Sequence, residues 1–353
     1  MWMFTVPFWM LTVQIMSAEQ MIRAESLRRT FKAGRKTIEA VRDVSFDVAA
    51  GELVALLGPN GAGKSTTLRM LTTLLPPTAG SVHIAGFEAA REPRRVREAI
   101  GYVGQKNSSG ENHRIRDELV TQGRCYGLRA RDARRRADEV LESLGISGLA
   151  ARTPGTLSGG QRRRVDIALG LVHSPRVLFL DEPSAGLDPR SRAGLWEQIQ
   201  LLRREYGITI LLTTHYLDEA DQMAERIVIV DRGEVIANGT ADALKADLAG
   251  DWMRVTTSDA GAARAAAGLA GRMTGISEIA IDGSTVHARI AAADAALPGY
   301  LRLLDQDSIT VTRAGVRRPS LDDVFINLTG RRLEESGDAH ETTADQPIGA
   351  THA

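Results

Sequence analysis

The sequence predicts an α/β protein of two units, and three observations carry that expectation. Residues 21–239 alternate short apolar runs of β-forming type with helical stretches. Residues from about 250 to 313 repeat the alternation on a smaller scale. The chain has 353 residues, which at roughly 150 per domain suits two such units.

Each element follows from its local pattern. Ile38–Val48 has alternating stretches, and Glu52–Leu57 reads as a compact buried strand that runs through a glycine-rich turn into a helix over Lys64–Leu74. Val177–Leu180, Ile208–Leu212 and Arg226–Val230 read as further apolar strands, with helical stretches near 189–205 and 216–224 between them. Alternation of this kind favours a mainly parallel sheet covered by helices. The second unit reads as strand, Ala-rich helix, two strands joined near Asp282-Gly283, helix and strand.

Composition narrows the classes. With 43% apolar and 25% charged residues the chain is neither fibrous nor disordered as a whole. Lys+Arg and Asp+Glu both number 44, so attraction to nucleic acid or anionic membrane by bulk charge is excluded. Arg91–Arg136 departs from balance, with thirteen basic and six acidic residues, and a solvated helical face is the default explanation. The single cysteine, Cys125, excludes an internal disulfide and a thiolate metal cage.

The two ends differ from this average. Residues 1–16 carry no charge and include Trp2, Phe4, Phe8 and Trp9. They fall short of the ~20 apolar residues of a membrane-spanning helix, and they lack the basic n-region of a signal peptide. The expectation is an apolar extension over 1–20, upstream of a start near Met16 or Met21; the other reading is an interfacial anchor. Glu334–Ala353 has five acids and no Lys or Arg, so 331–353 is expected to be a disordered tail. After residue 20 no apolar run approaches spanning length.

Three motifs carry chemistry. Gly58, Pro59, Asn60, Gly61, Ala62, Gly63, Lys64, Ser65 and Thr66 fit G-x-x-x-x-G-K-[ST] between a strand and a helix, the context that this motif requires. Glycines let successive N–H groups face phosphate oxygens, the helix start adds positive potential, Lys64 reaches the β- and γ-phosphates, and Ser65 suits Mg²⁺. In RVLFLDEP, Asp181 and Glu182 end an apolar strand, where Asp181 is placed to hold Mg²⁺ and Glu182 to polarise water. In LSGGQ, Ser158, Gly159, Gly160 and Gln161 open the helical stretch Arg162–Val172, a second anion-binding helix start. A second site of this type on the same chain suits a second copy, by capping the γ-phosphate held in the first.

With these residues in place, 22–239 resembles the nucleotide-binding subunits of ABC transporters, for which LSGGQ at this spacing from DEP is very specific. The resemblance implies an α/β P-loop nucleotide-binding domain over 21–240, with a parallel-sheet core, an antiparallel β edge and a helical subdomain. It implies ATP and Mg²⁺ as ligands, and it gives roles to four more residues. Phe31 matches the aromatic that stacks on adenine. Gln105 matches the glutamine that senses Mg²⁺ and γ-phosphate beside the membrane partner, and His215 the histidine that contacts the γ-phosphate. Asp188 matches the loop that crosses to the opposite active site, and by itself it also suits a helix N-cap before Pro189. Two departures stand out: Ala185 precedes Gly186, and KNSSGENHRIRDEL after Gln105 replaces the usual Leu-Thr pair, which bears on partner choice.

RRPSLDDVFINLTGR, Arg317–Arg331, resembles the tail of the daunorubicin/doxorubicin-resistance type of ABC ATPases. Read locally it is a helix capped by Ser320, with Leu321, Val324, Phe325 and Leu328 on one face. The resemblance implies a small C-terminal α/β accessory domain over 245–330. The expected protein is an ATP-hydrolysing subunit of a bacterial exporter of drug, antibiotic or lipid-like substrates. It would work as an ATP-sandwich homodimer on a separate transmembrane permease, peripheral to the cytoplasmic face, with no nucleic acid expected. The alternatives are a soluble ABC ATPase acting on nucleic acid or translation, and an importer ATPase.

Overall fold

The computed structural model describes residues 20–34, 36–248, 251–290 and 292–331. The apolar extension and the acidic tail lie outside the described residues, apart from Gln20 and Arg331. Contacts divide the chain into two compact units. One runs to His215 and includes Val228–Val235; the other comprises Tyr216–Ile227 and the chain from Ile236 onward.

The chain begins with β1 (Gln20–Ala33), paired antiparallel with β2 (Lys36–Ala49). No strand is evident in the sequence over β1. Its buried residues Met21, Ile22, Ala24 and Leu27 do not keep a two-residue period, with a register shift between Ala24 and Leu27, and Ser26 there has φ of +44°. β3 (Leu53–Leu57) is buried at all five positions and runs through the glycine turn into α1 (Lys64–Leu71). That helix stops short of the predicted Leu74. The Thr72 hydroxyl donates to Leu68 O at 2.9 Å, and Thr73 follows in left-handed geometry with φ of +61°.

Next come β4 (Ala79–Ile84), β5 (Phe87–Glu88), α2 (Pro93–Ala99) and β6 (Ile100–Val103). Helices α3 (Ile115–Cys125) and α4 (Ala130–Ser143) pack on each other and on α5 (Gly159–Leu171), giving the helical subdomain. The chain continues through β7 (Val177–Asp181), α6 (Pro189–Tyr206), β8 (Thr209–Thr214), α7 (Leu217–Met223), β9 (Arg226–Asp231), β10 (Glu234–Gly239) and α8 (Ala241–Leu248).

Ten of these strands form one sheet in the order β5-β4-β1-β2-β10-β9-β3-β8-β7-β6. β3, β8, β7 and β6 are parallel, whereas β2, β1, β4 and β5 form the antiparallel edge. The parallel register sets the site. Leu57 lies opposite Thr214, Thr213 opposite Asp181, and Leu180 opposite Val103, so four strands end in one row. Beneath the sheet edge Leu27, Val44, Leu56, Leu68, Ile84 and Phe179 share one fully buried core.

The remainder of the second unit holds β11 (Asp251–Thr257), α9 (Ala260–Ala270), β12 (Ile276–Asp282), β13 (Thr285–Ile290), α10 (Ala293–Gln306), β14 (Val311–Arg317) and α11 (Leu321–Thr329). The sheet order is β12-β13-β11-β14, with every pairing antiparallel. This is the split β-α-β arrangement, and it places α9 and α10 over Met253, Val255, Val286 and Ala288. Ala263, Ala266 and Ala270 bring α9 close enough for the Tyr300 hydroxyl to donate to Ala266 O at 2.8 Å. Burial pushes that phenol's pKa up to about 12. Ser320 caps α11 reciprocally with Asp323, and the helix packs against α7 and α8 with Leu321, Val324 and Phe325 buried; Leu328 is half-buried.

Candidate active site

The glycine turn of 58–66 keeps its shape because side chains are missing where backbone comes close. A Cβ on Gly58 would lie 2.2 Å from Val230 O, and one on Gly63 would lie 2.6 Å from Ala40 O. Gly63 also has φ of +103°, a conformation open to glycine and unfavourable for other residues. Lys64 is 4% exposed, and its ammonium donates to Gly58 O at 2.6 Å and Pro59 O at 3.0 Å. Burial lowers its pKa, opposed by the nearby Glu182 and Asp181 carboxylates.

The row of strand ends gathers the other groups. Asp181 Oδ1 accepts from Ser65 Oγ at 2.9 Å and from Thr213 Oγ1 at 2.7 Å. Glu182 follows, with Oε2 accepting from Gln105 Nε2 at 2.9 Å, and Oε1 lying 3.3 Å from His215 Nδ1 and 3.8 Å from Lys64 Nζ. The His215 hydrogen bond, and secondarily the charge of Lys64, hold the Glu182 carboxyl below the usual carboxylate range against its burial. Glu182 N donates to Thr213 Oγ1 at 2.9 Å. The residue has φ of +45°, strained for a non-glycine side chain. Six sequence-predicted residues, Lys64, Ser65, Gln105, Asp181, Glu182 and His215, thus form one bonded cluster.

The remaining predicted residues make their contacts elsewhere. Ser158 and Gln161 close a capping box on α5, with Ser158 Oγ accepting from Gln161 N at 3.3 Å and Gln161 Oε1 accepting from Ser158 N at 3.1 Å. Asp188 caps α6 by accepting from Arg190 N at 3.1 Å and Ser191 N at 3.0 Å. The two helix starts are close neighbours: a Cβ on Gly160 would lie 2.9 Å from the Ser191 Cβ. Phe31 is exposed on β1, with the Arg29 guanidinium 4.8 Å from its ring centroid.

Sequence reasoning missed three supports of the cluster. Arg163 in α5 donates to the backbone oxygens of Gly104, Asp181 and Pro183. Thr213 bonds both Asp181 and Glu182. Asp166 accepts from Ser108 N at 3.0 Å and Ser109 N at 2.9 Å, which fixes the unusual loop after Gln105. Most of these bonds end on backbone, so no side-chain spacing announces them.

The residues fit a magnesium nucleotide. The turn at Gly58 and Gly63 would be filled by any Cβ, the buried Lys64 ammonium folds back on its own loop, and a hydroxyl and a carboxylate meet at Ser65 and Asp181. Among the described residues no three His, Cys, Asp or Glu side chains gather in a metal-binding group. A cation beside Ser65 and Asp181 would therefore take other oxygens from phosphate and water, as Mg²⁺ does.

The basic run of 91–136 is dispersed by local ion pairs. Arg94 meets Glu98 at 3.0 Å, Arg95 meets Glu92 at 2.8 Å and Arg116 meets Asp138 at 2.6 Å. The solvated-face reading therefore holds for these arginines.

Residues 41–185 match the ABC transporter family, and residues 239–329 match the family described as "ATP-binding protein DrrA1-3-like, C-terminal domain". The daunorubicin resistance ATP-binding protein DrrA3 of Streptomyces coeruleorubidus is 44% identical over 300 residues, covering 84% of this chain and 94% of the relative. The doxorubicin resistance ATP-binding protein DrrA of Mycobacterium tuberculosis is 40% identical over 306 residues, 86% of this chain and 92% of the relative. Among solved structures, a dimeric ATP-binding cassette in a post-hydrolysis state bound to ADP and Pi is 28% identical. It aligns with a TM-score of 0.58 over 62% of this chain and 98% of its own. The chain belongs to the ABC transporter family, in which it is an ATP-binding, ATP-hydrolysing subunit.

Proposed function

We propose that this ATPase drives export of a drug or antibiotic through a separate transmembrane permease, as a homodimer that sandwiches two ATPs at the cytoplasmic face of the membrane. The observation that carries the reading is Glu182, a buried carboxylate held at once by Gln105, His215 and Lys64 at the row of strand ends. Names of the relatives support the substrate class. Residues 239–329 match the DrrA-like C-terminal family, which adds to that support. The division into a cassette over 21–240 and an accessory domain over 245–330 belongs to the same proposal. Among the described residues no helix is long and apolar enough to cross a membrane, which agrees with a partner that supplies the pore.

In this reading the N–H groups of 58–66 and the Lys64 ammonium bind the phosphates, while Phe31 stacks on the adenine. Ser65, Asp181 and the Gln105 amide oxygen would hold Mg²⁺, which neutralises phosphate charge when bound. His215 orients Glu182, and Glu182 takes a proton from the water that attacks the γ-phosphate. Ser158, Gly159, Gly160 and Gln161 of one subunit, with Asp188 beside them, face the nucleotide of the other. Loss of the γ-phosphate removes the charge that both helix starts hold, and the interface opens.

The test is Glu182→Gln. It is expected to keep ATP binding and to slow hydrolysis by on the order of 10² to 10⁴, the worth of a positioned base; an unchanged rate would remove Glu182 from the mechanism.

A further inference from the structure

Arg163 is a buried cation to which this mechanism gives no task. It is 5% exposed and lies in α5, one and a half turns beyond Ser158. Its guanidinium donates from Nη1 to Gly104 O at 2.6 Å, from Nη2 to Asp181 O at 3.0 Å and from Nε to Pro183 O at 2.9 Å. Two of those carbonyls bracket Glu182, and the third belongs to the residue just before Gln105. Glu182 has φ of +45°, and such strain persists only where the surroundings over-determine it. A rigid fork gripping the backbone on both sides of Glu182 provides that constraint. The same fork fixes the strand end from which Gln105 reaches Glu182 Oε2 at 2.9 Å. Packing alone would not call for a cation here, because burying a guanidinium is costly unless its donors are satisfied.

We propose that Arg163 is a positioning residue that couples the turn of Ser158–Gln161, the signature turn, to hydrolysis within its own subunit. Ser158 and Arg163 sit about 7.5 Å apart along one helix, and a capping box fixes the start of that helix. A shift of α5 on meeting the partner subunit's nucleotide is thus delivered by three hydrogen bonds to the carbonyl oxygens of Gly104, Asp181 and Pro183, the chain neighbours of Gln105 and Glu182. Each site becomes competent when its own signature turn is engaged. The proposal rests on the sandwich reading above. Lysine cannot reproduce the contact, since a single ammonium lacks the planar fork that reaches three carbonyls.

The experiment measures ATP hydrolysis and binding of a fluorescent ATP analogue by the full chain carrying Arg163→Lys or Arg163→Gln, each alone and combined with Glu182→Gln. Displacing the base by a fraction of an ångström is expected to lower kcat roughly 10- to 100-fold with KM within about threefold. No further loss is expected in the Glu182→Gln background, because the group through which Arg163 acts is then gone. A kcat equal to wild type overturns the proposal, as does a loss that multiplies with that of Glu182→Gln. If Arg163→Lys does not fold, Arg163→Gln decides; if both lose nucleotide binding, the guanidinium holds the fold and the coupling role is refuted. ATP-dependent dimerisation of Glu182→Gln is followed in the same series. Its absence refutes the sandwich reading, whereas its presence beside an unchanged kcat in the Arg163 variants refutes the coupling alone.

Discussion

Gln105, His215 and Lys64 converge on the Glu182 carboxylate, and in the proposed mechanism that environment sets when the base works. Its carboxyl is held below the ordinary value of 4.5, first by the His215 hydrogen bond and then by the Lys64 charge, against the opposing effect of burial. A depressed carboxyl pKa favours the ionised form in the fold. That contribution is fully present above 4.5 and is lost as pH falls through the depressed value. His215→Ala removes the leading cause, so the pKa should climb back and the acid limb of the kcat profile should move to higher pH. The residual activity of the variant, followed from pH 4 to 8, checks this; a limb that stays in place would mean that His215 does not control the base. The sequence identifies Glu182 and His215 separately, through a strand end and a motif. It does not reveal that Gln105, Lys64 and His215 all converge on the same carboxylate, because that depends on register between strands.

At the scale of elements, two helix starts are built in different ways. The turn before α1 is shaped by glycine: Gly63 combines φ of +103° with backbone 2.6 Å from where a Cβ would sit. Gly63→Ala should therefore strain the turn by about 1–3 kcal/mol, a loss of roughly 5- to 150-fold in ATP affinity with the circular dichroism unchanged. Titration with ATP measures this, and wild-type affinity would mean that the turn relaxes freely. The start of α5 is built otherwise, with Ser158 and Gln161 satisfying each other's backbone. That helix start was legible in Ser-Gly-Gly-Gln, since capping needs only local spacing, whereas the reciprocal bond from Ser158 N to Gln161 emerged from the structure. Strand β1 was not legible, because its bulge shifts the inward-facing residues out of step.

For the whole molecule, the bonded cluster and the signature turn make separate sets of contacts within one chain. The proposed homodimer gives both sets a common task. Ser158→Arg would place a long cation on the exposed helix start that in the proposed homodimer faces the partner's nucleotide, and it should abolish ATP-dependent dimerisation while leaving ATP binding to 58–66 intact. Sedimentation of the variant in the Glu182→Gln background reads this directly, and a dimer as stable as the parent's would refute the sandwich. The second unit folds around its own core, with Tyr300 bonded to Ala266 across α9 and α10, so its cohesion does not depend on nucleotide.

The sequence by itself determined that the chain is α/β, that it carries a glycine-rich turn between a strand and a helix, a strand-end carboxylate pair and a capped helix start at Ser158, and which family those motifs resemble. Each of these is written in contiguous residues, where backbone geometry and side-chain type are coupled over one or two turns. Tertiary structure alone decided that Lys64, Gln105, Glu182 and His215 meet, that Thr213 ties Asp181 to Glu182, and that Arg163 grips the backbone around Glu182. Those contacts depend on which strands lie side by side and in what register. Several of them end on carbonyl oxygens, which every residue carries and no sequence pattern distinguishes.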